Sequence, residues 1–190
     1  MFAPLGMILV GLLSIYLWRK RSGVGLKFFF FGGLVWFAAI ALKVVLDYLA
    51  TPNLNQWARE TYGFPAAYFI LGAYVGLRTG LLECGFTYLA LSKSRLREAS
   101  LDEATAFGIG FGAFEAFLLG LMSFINILAF ILMPELISEL PAEIASLVET
   151  QINLDTLYIF PAVIERVSAI FVHVFAGVLV VLAVNTKKIK

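Results

Sequence analysis

Residues 65–91 read PAAYFILGAYVGLRTGLLECGFTYLAL, with Arg78 and Glu83 as the only charged groups in the run. A membrane-crossing helix needs about 20 mostly apolar residues, and this stretch is long enough. Gly72, Gly76 and Gly80 recur every four residues, and Glu83 follows three residues later. A period of four keeps small residues on one helical stripe, and in lipid such stripes let two backbones approach closely. The device recurs at Gly108, Gly112, Ala116 and Gly120, with Glu115 three residues after Gly112. A carboxylate beside a packing stripe is expected between helices. At membrane depth an ionisable group costs about 2.5–3.5 kcal/mol on insertion scales, which makes each a functional candidate.

Composition agrees. The chain of 190 residues is 61% hydrophobic and 14% charged, with a mean hydropathy of +0.93; soluble domains carry about 25% charged residues. Apolar runs at about 3–18, 28–50, 65–91, 104–133 and 158–184 predict five spans in one domain, 1–190. The first is short, and Arg19-Lys20-Arg21 after it marks a retained span rather than a cleaved leader. The fourth is long enough to tilt or to break near Ser123 or Asn126.

Ten of the fourteen Lys and Arg fall in 19–27, 92–103 and the tail after 184. The alternate connections, 51–64 and 134–157, hold only Arg59, against Glu60, Glu135, Glu139, Glu143, Glu149 and Asp155. Positive-inside bias then predicts an all-α polytopic bundle with the N-terminus outside and the C-terminus cytoplasmic. Within 134–157, Leu136, Leu140, Ile144, Leu147 and Val148 recur at helical spacing after or around Pro141. That pattern predicts an amphipathic segment on the outer surface, or a lid.

Lys43 and Asp47, four apart, are expected to pair along their own helix. Arg78, Glu83, Glu115, Glu165, Arg166 and His173 form the remaining set of polar groups within the spans. They fit a structural ion-pair network or a catalytic centre. A metal site is not expected, because His173 is the only imidazole and Cys84 the only thiol, and zinc takes three or four such ligands. Cys84 has no histidine on its helix to act as base. The glycines at Gly108, Gly110 and Gly112 follow no strand and so fail as a phosphate loop. No cofactor is expected. The expected partners are the lipid bilayer and other membrane subunits or a second copy of the chain, with no basic aromatic surface for nucleic acid.

Three segments resemble one known family. Glu83-Cys84-Gly-Phe-Thr87-Tyr88 resembles the Glu-Glu-x-x-Arg-Tyr segment of YhfC-type intramembrane proteases. Gly110-Phe111-Gly112-Ala-Phe-Glu115 resembles that family's Gly-His-Gly-x-x-Glu segment, and Glu165-Arg166 followed by His173 resembles a third. The family is related to the CAAX prenyl-endopeptidases and to the scaffold subunit of γ-secretase. The resemblance covers about residues 65–185 and implies a glutamate–histidine centre of Glu83, Glu115 and His173 that activates water. Cys84, Thr87 and Phe111 stand where the family has glutamate, arginine and histidine. That departure implies a degenerate protease serving as a scaffold or binding subunit. The alternative is an active glutamate/histidine peptidase acting on membrane or prenylated peptides, with a polar cavity near Glu83.

Overall fold

The computed structural model describes residues 2–153, 157 and 159–188. Asp155 and Lys190, counted above in the charge pattern, lie outside them. Helix α1 spans Phe2–Ser22, α2 Leu26–Lys93, α3 Leu101–Leu132, α4 Glu135–Ser138, α5 Ala142–Ile152 and α6 Ile159–Lys188, with a 3₁₀ turn at Arg95–Glu98. No strand occurs among the described residues.

Four of these helices are long and apolar enough to cross a membrane. Helix α2, at 68 residues, would run about 100 Å if straight, against a hydrocarbon core of about 30 Å. It does not run straight. Gly63 has φ 76° and ψ 175°, a backbone region essentially reserved for glycine. There the chain turns back, because Lys43 meets Glu83 and Asp47 meets Arg78 across it. Residues 26–62 and 64–93 are thus two antiparallel arms, and the bundle holds five apolar rods. Pro65 falls in the first turn of the returning arm, where a missing N–H costs little. The connection 51–64, expected as a loop, is helical up to that break.

Helix α1 ends on Gly23 at φ 71°, whose N–H donates to Arg19 O at 2.9 Å. This left-handed cap reverses the chain into α2. Helix α3 starts on a capping box: Ser100 Oγ accepts from Glu103 N, and Glu103 Oε2 accepts from Ser100 N at 2.8 Å. It continues to Leu132 without a break at Ser123 or Asn126.

Helix α3 is the hub, packed against α1, α2 and α6. From Ala104 to Ala116 it is buried almost without interruption, which the glycines permit. A Cβ on Gly110 would collide with the Phe29 backbone, and one on Gly32 with Phe107 O. On Gly120 a Cβ would stand 2.8 Å from Pro4 O, so α1 seats there. The core is completed by Phe29, Trp36, Leu91, Phe107, Phe111 and Val181.

The basic segments gather at one end. Trp18 Nε1 donates to Asp102 O at 3.1 Å, and Lys93, Arg97 and Val184 border one cavity. The segment after α3 is two short helices. Helix α5, with 11 residues, is about 16 Å long, too short to cross. It opens at Pro141 and packs chiefly against α4, and Ile144 and Leu147 point outward.

Candidate functional site

The second glycine stripe builds the site. A Cβ on Gly108 would stand 2.5 Å from Val174 Cα, and one on Gly112 2.9 Å from Ile170 Cα. Only glycine lets α6 lie this close to α3. The same approach brings His173 Cδ2 within 3.3 Å of the Cβ position at Gly112. One turn along α3, Glu115 Oε2 then meets His173 Nε2 at 3.1 Å.

From that contact a chain of charged groups runs in both directions. On one side Glu115 Oε1 accepts from Arg166 Nη1 at 3.1 Å. Arg166 turns its Nε and Nη2 side-on to both oxygens of Glu165. On the other side Glu83 Oε2 lies 3.9 Å from His173 Nε2, and Glu83 Oε1 is held by Lys43. The order is Lys43, Glu83, His173, Glu115, Arg166, Glu165, drawn from both arms of α2, from α3 and from α6. Lys43, Arg166 and His173 are each buried, at 8% relative exposure. Isolated charges at such depth are costly, whereas paired and hydrogen-bonded ones persist. Glu115 thus stands between a guanidinium on one oxygen and an imidazole on the other.

Glu83, Glu115, Glu165, Arg166 and His173 are therefore brought together. Arg78 is not part of the chain. It pairs with Asp47, which also accepts from Thr51 at 2.9 Å, and it lies over the Tyr74 ring. The expected Lys43–Asp47 pair does not form, because each group finds a partner on the returning arm. Lys43 is the member of the site that the sequence reading missed. The signal was present: Glu83, Glu115 and Glu165 outnumber Arg78 and Arg166, leaving one carboxylate without a cation.

The first glycine stripe behaves otherwise. No atom lies within 4 Å of a Cβ position at Gly72, Gly76 or Gly80. These three glycines do not pack helices within the chain; they line an outward face. Cys84 also points outward, whereas Thr87 is buried. Phe111, fully buried, lies over the imidazole of His173 with ring centroids 4.3 Å apart.

Cavities of about 550, 440, 480 and 270 Å³ open at the basic end and along the flanks, and none of these four is lined by Glu83, Glu115 or His173.

Fold and centre together define a multi-pass integral membrane protein whose polar groups meet inside a helical bundle. The family profile described as YhfC intramembrane metalloprotease matches residues 6–190, and the chain belongs to that family. It is 26% identical over 186 residues to the "Uncharacterized membrane protein YhfC" of Bacillus subtilis (strain 168), covering 93% of this chain and 70% of the relative. No solved structure matches.

The family description implies a metal, and the residues present do not fit one. Among the described residues no group of three His, Cys, Asp or Glu is placed to hold an ion. Glu83 is capped by the Lys43 ammonium and Glu115 by the Arg166 guanidinium, two groups that donate and cannot ligate. Phe111, which offers no donor atom, lies against the His173 ring.

Proposed function

We propose that this chain is a non-catalytic member of its family, acting as a scaffold or binding subunit within a membrane complex. The observation behind this reading is that both carboxylates of the centre are already occupied by buried cations. A general base must be free to hold a water and take its proton. Glu83 bound to Lys43 and Glu115 bound to Arg166 are not free, and Phe111 fills the space beside His173 with carbon. The centre then works as a clamp that joins α2, α3 and α6. The outward glycine face at Gly72, Gly76 and Gly80 supports a role in close contact with a neighbouring helix of a partner or a second copy.

Purification from native membranes in mild detergent tests this. A membrane protein recovered in fixed ratio, and lost with Gly76→Leu, is the expected result. A monomeric chain that cleaves membrane peptides would overturn the reading.

The second reading is an active peptidase, favoured by the 3.1 Å contact of Glu115 with His173. That dyad has the reach of a base and its orienting partner. It requires the Lys43–Glu83 pair to open on substrate binding.

A further inference from the structure

The mismatch between a metalloprotease family and this donor set has a definite location. Two carboxylates, Glu83 and Glu115, flank one imidazole at 3.9 and 3.1 Å. A divalent cation would neutralise such a pair. Here two single charges do so from the protein itself, Lys43 on Glu83 and Arg166 on Glu115. We propose that Lys43 is a tethered replacement for the metal: its ammonium supplies the compensating charge at Glu83 and excludes a divalent ion from the Glu83–His173–Glu115 cluster.

Lys43 is suited to this role by position. It lies one helical turn before Asp47, and the hairpin register about Gly63 sets it opposite Glu83, so the charge is delivered from inside the bundle. An ammonium is also compact and strongly hydrated, and it is buried here only because a carboxylate meets it. A dication entering while Lys43 stays would bring like charges together at Glu83 Oε1, where the ammonium already occupies the oxygen. Phe111 completes the exclusion by placing an aromatic ring, with no lone pair to offer, against His173.

The inference rests on the charge-closed centre of the proposed function, so its test is metal uptake rather than cleavage. The full chain in detergent is titrated with Co²⁺, followed by visible absorption, and its Zn²⁺ content is measured after dialysis. Wild type and Phe111→His are expected to take up no stoichiometric metal. Lys43→Gln/Phe111→His is expected to bind about one equivalent and at least about tenfold more tightly than Phe111→His alone, since the ammonium no longer opposes the ion. Thermal unfolding confirms that each variant is folded, and Lys43→Arg, which keeps the charge, should remain metal-free. Three results would overturn the inference: a His173-dependent metal in wild type, Phe111→His binding as tightly as the double variant, or a folded double variant that stays metal-free. Metal-free peptide cleavage by wild type would sink the scaffold reading and leave this one standing.

Discussion

Phe111 lies over the imidazole of His173, with ring centroids 4.3 Å apart and planes inclined by 33°. The partner of His173 on this face is thus apolar, and the ring is fully buried. Truncation to Phe111→Ala should leave a cavity beside a buried imidazole and cost about 3–5 kcal/mol. Reversible unfolding in mixed micelles measures this; a loss below about 1 kcal/mol would show that the ring is not a packing element.

Lys43 and Glu83 should behave as a coupled pair. Removing one partner strands a buried charge, at a cost of about 3–5 kcal/mol, while removing both together is far milder. Lys43→Met and Glu83→Gln are each expected to destabilise strongly, and the double variant to recover most of the loss. A double-mutant cycle with additive effects would contradict the pairing.

Gly63→Ala should destabilise the chain by about 1–3 kcal/mol, because a Cβ is strained at this backbone angle whatever the surroundings. No side chain or backbone atom lies within 4 Å of that Cβ position, so sterics with neighbours play no part. Unfolding midpoints of the wild type and variant decide the matter. An unchanged midpoint would mean that the hairpin turn does not need this conformation.

The two glycine stripes should respond in opposite ways. Gly108→Ala and Gly112→Ala place a methyl against the α6 backbone and should weaken the isolated chain. Gly72→Ala, Gly76→Ala and Gly80→Ala meet nothing and should be neutral, or stabilising by up to about 1 kcal/mol each through helix propensity. Thermal stability of the monomer distinguishes the sets. Equal damage from both would mean that the first stripe is also covered within the chain.

This contrast also marks how far the sequence could be read. Periodicity tells which residues share a face, and it identified both stripes. It does not tell which face a neighbour covers, so Gly72, Gly76 and Gly80 looked the same as Gly108 and Gly112. Glu115, Arg166 and His173 were legible because long apolar runs leave few places for charged groups to go except towards one another. Lys43 was misassigned to Asp47 because four-residue spacing is the shortest available pairing. Its true partner is 40 residues away, fixed by a reversal at Gly63 that lay inside an apparent loop. The helical character of 51–62 was hidden as well, since the stretch lies between two apolar runs and read as a connection.

The central claim is that Glu83 and Glu115 serve structure rather than chemistry, and peptide hydrolysis tests it most directly. Wild type, Glu83→Gln and Glu115→Gln, reconstituted in vesicles, are each incubated with prenylated and transmembrane peptides, and products are read by mass spectrometry. The account predicts the same background cleavage for all three. Turnover by wild type that disappears in either variant, with the variants still folded, would contradict it.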